Sequence, residues 1–569
     1  MSEEKTRKEI RNKPRRLIWN NDGSDMLGPA YATGAWPPLK SVKHFIDNLM
    51  RYTENSEIDA LFYCGHTNEP DWEHPQKNIE VLGPTPIKHV VDFAHKNEME
   101  FFYAIRMNDT HASYFPPKGS YWPPFRLNHP EFLLANVSKE EFRKKYTPWI
   151  SQFLDEAEQR KKEKLFDKEP EYEINLRRRS EEAHPLADVL KREGKYSRDL
   201  WSWAGYNYAR PEVQTHYLDI IRGACERYNL EGIELDWLRM PMFFELGQER
   251  RNIPIMNDFV RQIRKCLDEY GKKRGRPILL AMRTPDTIEL SLSVGLDPET
   301  WAREGIVDFF MAGSGLMPFS IPISEWVDLG RKYDVKIYGC LDRIHPIFHG
   351  GRPKFDTRDP EIKDRVSNNA SVYAAAYRFW KAGVDGIYLF DWHTHHGPTD
   401  PKDYGTVPKV SDVKTLKNAP KLYQVDPGFP LRPGQGALAP GCLTGQLPCA
   451  FTTKTDSNYT ILTIDIADNP KSMNKIMLLT QWTNNPDPKI VNWYFNNTLI
   501  STIEEIEDFI ASDEFADSGK LSKQSWVGFN VPPRVIKKGL NSLKVVIQPK
   551  KTETSETILE LLQVRIAIS

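Results

Sequence analysis

Eight short apolar runs recur along the chain as far as residue 390, and they constrain its fold more than any other feature. Most are followed by polar residues and then by a stretch with the spacing of an amphipathic helix. Nearly continuous apolar strands that alternate with helices are typical of a parallel sheet covered on both faces. Eight such repeats predict a (β/α)8 barrel. The runs lie at residues 17–20, 60–64, 100–105, 232–237, 278–282, 307–312, 336–341 and 386–390.

A doubly wound α/β sheet is the alternative that the same alternation allows. Dinucleotide-binding members of that class carry a glycine-rich phosphate loop directly after the first strand. Here the first run ends in Asn20, Asn21 and Asp22, and no such loop follows it. The barrel is therefore the predicted fold.

The chain divides into three parts in this interpretation. Residues 1–428 form the barrel domain, with a long insertion at about 108–210 between the third and fourth strands. The first part of the insertion is rich in aromatic residues and proline, and we expect it to wall a cleft. Its middle is charge-dense, as solvated segments usually are. Residues 429–449 read as a linker, and the short alternating segments of 450–569 predict a β-sandwich.

The composition argues against several kinds of partner. Lys and Arg number 77 against 78 Asp and Glu, so no overall field favours nucleic acid or a membrane surface. No apolar run approaches the roughly 20 residues of a membrane span. The cysteines show no CxxC spacing, which argues against structural zinc, although Cys442 and Cys449 could pair in an exported protein. The charged N-terminal segment is no signal peptide as it stands, so the compartment stays open, as does the oligomeric state.

Two acids interrupt the fourth apolar run. Because side chains alternate across a strand, Glu234 and Asp236 share one side and Ile233 and Leu235 the other. Carboxylates on an apolar strand are unfavourable unless they are paired, hydrogen-bonded or used. Acids at the C-terminal end of a barrel strand are suited to general acid/base catalysis. The alternative is a buried acid paired with an arginine, for which Arg239 is the candidate.

Polar residues also follow most of the other strands, and a barrel would bring them to one mouth. A set dense in carboxylate, amide, arginine, histidine and tryptophan is typical of a carbohydrate subsite. We expect it to bind substrate, and we expect no cofactor and no metal. The candidate substrate-binding residues are Asn21, Asp22, His66, Arg106, Asn108, Arg239, Arg283, Asp391, Trp392 and His393.

Glycoside hydrolysis needs two carboxyl groups that flank the scissile bond. The seventh strand ends in Asp342, nearly opposite the acids of the fourth, so Asp342 is the candidate second carboxylate. An ion pair with Arg343 is the structural alternative for Asp342, and Asp391 is the alternative partner in catalysis.

Three arginines fall at strand ends although the whole chain is nearly neutral. Arg106, Arg239 and Arg283 could bind a sulfate or uronate group in bidentate fashion. They could equally neutralise the buried acids. An anionic sugar is therefore one possible substrate.

A metal-dependent hydrolase is a further alternative, because residues 393–396 read His-Thr-His-His close to Asp391. Metal-dependent amidohydrolase barrels usually place a His-x-His pair on the first strand. The first strand here offers Asn-Asn-Asp. We therefore expect a polar loop that contacts substrate.

The fourth strand resembles the family-18 chitinase signature, Asp-x-x-Asp-x-Asp-x-Glu, laid over residues 231–238. The position of the family's acid is Leu238 here, which argues against substrate-assisted chitinase chemistry. Residues 202–213, 232–241 and 386–392 look like glycoside-hydrolase-like barrel proteins of polysaccharide-degrading bacteria. Relatives of this kind include enzymes for sulfated galactans such as carrageenans. The resemblance covers about residues 16–396.

This resemblance implies a (β/α)8 barrel with a C-terminal β-sandwich and a glycan substrate. In the large clan of retaining glycosidases, glutamates after strands four and seven serve as acid/base and nucleophile. Strand seven offers Asp342 instead, so the nucleophile does not follow from the resemblance. The sandwich is expected to support the barrel, with sugar binding as the alternative.

The sequence thus predicts an enzyme that hydrolyses O-glycosidic bonds of a polysaccharide or oligosaccharide. Glu234 or Asp236 would protonate the glycosidic oxygen, and Asp342 would attack or activate water. The alternatives are a barrel that binds glycan without cleaving it and a metal-dependent hydrolase.

Overall fold

The structure is a computed structural model of the 569-residue chain. It describes residues 3–23, 26, 39–50, 56–65, 80–110, 124–134, 204–238, 240–245, 247–315, 317–342, 369–390, 392, 407, 409–426, 445–452, 458–473, 475–482, 486–500, 503–504, 526–548 and 558–568.

Eight parallel strands close into a single barrel in chain order, and the eighth pairs with the first. This closure confirms the predicted (β/α)8 barrel and excludes the doubly wound sheet. The strands coincide with the eight apolar runs to within a few residues at their ends. They are β1 (Leu17–Asn21), β2 (Ala60–Cys64), β3 (Glu100–Arg106), β4 (Gly232–Asp236), β5 (Leu279–Thr284), β6 (Phe309–Ala312), β7 (Lys336–Asp342) and β8 (Gly386–Phe390).

Helices lie between the strands, as the amphipathic stretches predict. In the helix before β4, the residues Val213, Tyr217, Ile221 and Ala224 recur at helical spacing and are all buried. None of the described helices is long and apolar enough to cross a lipid bilayer. The helices described here are α1 (Glu3–Arg11), α2 (Val42–Met50), α3 (Ile87–Lys96), α4 (Pro124–Asn128), α5 (Pro211–Arg227), α6 (Ile253–Arg274), α7 (Ile288–Ser293), α8 (Pro298–Arg303), α9 (Ile323–Tyr333), α10 (Asn369–Ala382) and α11 (Val413–Asn418).

The barrel interior is a packed aromatic core rather than a pore. Phe62 and Phe102 stack with their ring centroids 4.3 Å apart, and Tyr388 meets Phe62 edge to face. At the N-terminal end of the strands, Ile10 of α1 packs against this core. Arg7 of the same helix pairs with the buried Asp308 at 3.0 Å. One end of the barrel is therefore closed by the N-terminal helix, which leaves the C-terminal strand ends for a site.

The C-terminal strands form two antiparallel sheets, which confirms the predicted β-sandwich. The strands are β9 (Lys421–Gln424), β10 (Cys449–Thr452), β11 (Asn458–Ile466), β12 (Ile476–Trp482), β13 (Val491–Phe495), β14 (Thr498–Ile500), β15 (Ile503–Glu504), β16 (Trp526–Asn530), β17 (Gly539–Ile547) and β18 (Ile558–Ile568). One sheet has the order β10-β18-β12-β16-β15, with β9 also paired to β18, and the other has the order β11-β17-β13-β14.

The domain boundaries stay a prediction, but one strand bears on them. β9 lies before the expected boundary at residue 428, yet it pairs with β18 through Arg565–Gln424 and three further residue pairs. The chain thus contributes a strand to the sandwich before the segment expected to be a linker.

Candidate functional site

Glu234 and Asp236 both face the inside of the barrel. Their neighbours Ile233 and Leu235 belong to the apolar layer between strands and helices, as the alternation of β4 requires. The relative exposure of Glu234 is 0% and that of Asp236 is 2%. Two acids therefore lie buried at adjacent inward positions, and each needs a compensating interaction.

Glu234 is held by hydrogen bonds from two other barrel strands. The Tyr388 hydroxyl on β8 donates to its Oε1 at 2.6 Å, and Asn20 Nδ2 on β1 donates to Oε2 at 3.4 Å. Burial, and then the negative charge of Asp236, raise the pKa of Glu234 to about 8. At neutral pH Glu234 therefore retains its proton, as a general acid must.

Asp236 has a different partner, the guanidinium of Arg283 on the neighbouring strand β5. Arg283 Nη1 donates to Asp236 Oδ1 at 3.0 Å and to Oδ2 at 3.1 Å, and the Leu238 amide donates to Oδ1 at 3.0 Å. The geometry is that of a buried ion pair with an ionised carboxylate. The structural alternative of an arginine partner is thus found with Arg283, while the predicted partner Arg239 lies outside the described residues.

Arg283 is itself completely buried. Its Nη2 donates to the carbonyl of Ser314 at 2.8 Å, and its guanidinium carbon lies 3.5 Å from the centroid of the Phe390 ring. Burial lowers the pKa of Arg283, but the charge of Asp236 and the contributions of Cys340 and Tyr388 together outweigh burial and raise that pKa above its usual value. Although we expected Arg283 at the substrate, we interpret it as the partner of Asp236.

Arg106, the other described arginine of the expected cluster, lies in register with Asp236 on β3. Its side chain pairs with Asp22 at 3.5 Å and with Asp109 at 3.3 Å. The two described arginines thus both face carboxylates of the protein. Of the two functions left open for this cluster, neutralising buried acids is the one that these contacts show.

Asp342 ends β7, separated from β4 in the barrel by β5 and β6. It is 7% exposed, the largest fraction among the three candidate carboxyl groups. The Asp342 amide donates to the carbonyl of Gly315 at 3.4 Å. Gly315 has φ +81°, and a Cβ there would lie 2.8 Å from the Asp342 nitrogen. The loop after β6 therefore packs closely against Asp342, and only glycine fits at residue 315.

Several other predicted residues support loops at the mouth. Asn21 Oδ1 accepts a hydrogen bond from the Gly23 amide at 2.8 Å. Asn108 accepts one from the Tyr206 amide at 3.0 Å and donates to the Met242 carbonyl. Trp392 is buried beside β1. The predicted residues His66, Arg239, Asp391 and His393 lie outside the described residues, as do Arg343 and Cys442.

Tyr388 and the loop after β6 were missed as parts of the site. Tyr388 stands in the eighth apolar run, and it shares the inward side of β8 with Gly386 and Phe390. A tyrosine at an inward position whose strand neighbours are apolar is the signal that could have identified it, because its hydroxyl needs a partner when buried.

Two cysteines in the barrel wall are unsuited to nucleophilic chemistry. Burial raises the pKa of Cys64 and that of Cys340 to about 12, so both remain thiols at neutral pH. Among the residues that the structure describes, no group of His, Cys, Asp and Glu side chains is arranged to hold a metal ion.

No family model and no curated protein matches the chain. Similar solved structures include endo-glycoceramidase II from a Rhodococcus species, with 13% identity and a TM-score of 0.34 over 95% of this chain and 98% of that one. An Anoxybacillus alpha-amylase shows 12% identity and a TM-score of 0.33 over 95% and 99%. The PgaB glycoside hydrolase domain from Bordetella bronchiseptica shows 9% identity and a TM-score of 0.39 over 70% and 99%. All three are glycosidases by name, but likenesses at such TM-scores carry no argument about the activity of this chain.

Proposed function

We propose that the chain hydrolyses O-glycosidic bonds of a polysaccharide or oligosaccharide, with Glu234 as the general acid. The observation that carries this proposal is the contrast between two buried carboxyl groups on one strand. Glu234 accepts hydrogen bonds from the neutral side chains of Tyr388 and Asn20 and has its pKa raised to about 8, whereas Asp236 is ion-paired with Arg283. Acid/base assignments in enzymes follow such differences of environment.

In this mechanism Glu234 protonates the glycosidic oxygen while Asp342 attacks the sugar or activates water. Asp236 is less suited to the acid role, because its oxygens already accept hydrogen bonds from Arg283 and from the Leu238 amide. Its negative charge instead helps to keep Glu234 protonated. Asp391 remains the alternative second carboxylate.

The finer proposal of an anionic glycan, such as a sulfated galactan, rests on the arginine cluster. Arg283 is fully buried, and the charge of Arg106 is offset by Asp22 and Asp109. The described residues therefore favour a neutral glycan over one that needs several cationic contacts.

The test is to incubate the protein with neutral, uronate-containing and sulfated polysaccharides and to measure new reducing ends. We expect cleavage of at least one glycan by the wild type and its loss in Glu234→Gln. Glu231→Gln is the matched control, because Glu231 lies three residues earlier in the chain, beside Arg276. Equal turnover by both variants and the wild type would exclude Glu234 as the acid.

A glycan-binding barrel without hydrolysis is the second candidate, and the complete burial of Glu234 favours it. A buried acid with hydrogen bonds to both oxygens is also what a purely structural role would require. Affinity for one glycan of the panel without any product between pH 4 and 9 would support this reading. Inactivation of a cleaving preparation by a chelator would instead favour the metal-dependent hydrolase.

A further inference from the structure

We infer that the C-terminal sandwich positions the candidate carboxylates by holding the loop after β6, described at residues 313–315 and 317–321. Arg378 and Asp465 are the positioning residues. The catalytic part of this inference rests on the proposed function, while the mechanical part does not.

The first contact is made by Arg378, a buried residue of α10 that joins the loop to the sandwich. Its Nε donates to Asp465 Oδ2 of β11 at 2.8 Å. Its Nη1 donates to the Pro318 carbonyl at 3.0 Å, and its Nη2 donates to the Ile321 carbonyl. One guanidinium thus connects a sandwich strand to two carbonyls of the loop, a geometry that the planar fork of arginine permits and lysine does not.

A second contact reaches the same loop from β9, the strand that pairs with β18 of the sandwich. Asp426 follows β9 and is fully buried, and its Oδ1 accepts a hydrogen bond from the Phe319 amide at 3.4 Å. The Phe319 ring lies edge to face with Tyr423 of β9, with the centroids 6.3 Å apart. The outer part of the loop is therefore fixed by Arg378, which Asp465 of the sandwich holds, and by Tyr423 and Asp426 in and after β9.

The inner part of the loop contacts Asp342 and the ion-pair partner of Asp236. The carbonyl of Ser314 accepts from Arg283, the ion-pair partner of Asp236. The carbonyl of Gly315 accepts from the Asp342 amide, and the Ser314 amide is fixed by Asp286 Oδ1 at 2.6 Å. Displacement of the loop would therefore move Arg283 and the end of β7 together.

This arrangement gives the sandwich a function distinct from sugar binding. Catalysis depends on sub-ångström placement of the reacting groups, and a misplacement of about 1 Å can lower the rate by about 100-fold. The loop is an irregular segment, in which the amides of Ser320 and Ile321 donate to the Met317 carbonyl. Contacts from a rigid sandwich are a direct way to fix it.

The test compares Asp465→Asn, which removes the charge that faces Arg378, and Arg378→Lys, which can no longer bridge three acceptors. Lys544→Met is the matched control, because Lys544 lies on a neighbouring strand of the same sheet and contacts Tyr459. Hydrogen exchange of peptides covering residues 309–321 is measured at a temperature where all proteins are folded, together with kcat, KM and the pH profile.

We expect faster exchange in the loop in both test variants and wild-type exchange in Lys544→Met. We also expect kcat to fall about 10-fold with KM nearly unchanged, and the pH profile to shift as Arg283 moves relative to Asp236 and Glu234. Wild-type exchange in both test variants would overturn the inference. Faster exchange with unchanged kcat and pH profile would overturn its catalytic part. If the wild type cleaves no glycan, faster exchange still supports the mechanical part, and only the proposed function fails.

Discussion

Glu231 and Glu234 belong to the same short segment of the chain, but they lie towards opposite ends of the barrel wall. Glu231, at the N-terminal end, accepts hydrogen bonds from Arg276 and, at 2.8 Å, from the Phe101 amide. It also contacts His95 at 3.0 Å. Burial raises the pKa of Glu231, but these contacts together outweigh it and lower that pKa below the usual value. The described hydrogen bonds of Glu234 come from the neutral side chains of Tyr388 and Asn20, and its pKa rises to about 8.

The same contrast extends to the other buried acids of the two ends. At the N-terminal end, Glu100 pairs with Arg15 and Asp308 pairs with Arg7. At the C-terminal end, Asp236 pairs with Arg283, whereas no cation among the described residues pairs with Glu234. The barrel thus offsets the charges of Glu231, Glu100 and Asp308 with arginines, whereas Glu234 is neutralised by its own proton. A carboxyl group kept neutral in this way can donate that proton.

The largest expected effect is on activity. Glu234→Gln should lower the rate of glycan cleavage by about 10²–10⁴-fold, because it removes the transferable proton. Its stability should change little at acid pH, since glutamine can still accept from Tyr388. Glu231→Gln should cleave at nearly the wild-type rate. Reducing-end assays and urea unfolding of both variants check this. A large activity loss in Glu231→Gln would contradict the purely structural role of Glu231.

The next largest effect concerns the ion pair. Asp236→Asn should lose about 3–5 kcal/mol of unfolding free energy, because it leaves the Arg283 charge buried and unpaired. We expect a rate loss of several hundred-fold or more as well. The double variant Asp236→Asn/Arg283→Met should recover part of the stability. Urea denaturation measures both, and an unchanged midpoint for Asp236→Asn would show that the pair does not contribute as proposed.

The protonation of Glu234 also predicts a pH dependence of stability. Its pKa is about 8 in the folded protein against 4.5 for the free side chain, so the folded state holds a proton that the unfolded chain has released. The free energy of unfolding should therefore contain a contribution that falls by about 1.4 kcal/mol per pH unit between these two values and is level above them. Glu234→Gln should lack this slope.

The contribution of Glu231 to the pH dependence of the unfolding free energy should have the opposite sign. Because its folded pKa lies below the usual value, its contribution is present above the unfolded pKa and is lost as the pH falls through the folded one. Comparing pH titrations of unfolding for Glu234→Gln and Glu231→Gln with the wild type separates the two. If the unfolding free energy changed with pH equally for the wild type and Glu234→Gln from pH 5 to 8, Glu234 would not be protonated in the folded state.

The smallest expected effect belongs to Tyr388→Phe. Removing the hydroxyl leaves an oxygen of Glu234 with one partner fewer in a buried site, which should cost about 1–3 kcal/mol of stability. The hydrogen bond from Tyr388 lowers the pKa of Glu234, so its loss should raise that pKa further. The alkaline limb of the pH–rate profile should move to higher pH. A shift to lower pH would show that Tyr388 acts on Glu234 in another way.

Much of the fold could be predicted from the sequence because it depends on local patterns. The apolar runs at β2 and β8 match the predicted boundaries, and the alternation in β4 correctly separated Glu234 and Asp236 from Ile233 and Leu235. Both follow from chain geometry within a few residues. The prediction did not extend to β9, whose partner β18 lies far along the chain.

The eight strands and the two acids that share one side of β4 were thus predictable from local sequence patterns. Which groups those acids contact depends on the tertiary fold. Tyr388 lies 154 residues from Glu234, and Arg283 lies 47 residues from Asp236. Closure of the barrel brings β8, β1 and β5 around β4, and the electrostatics of a buried carboxyl group depend on those neighbours rather than on its place in the chain.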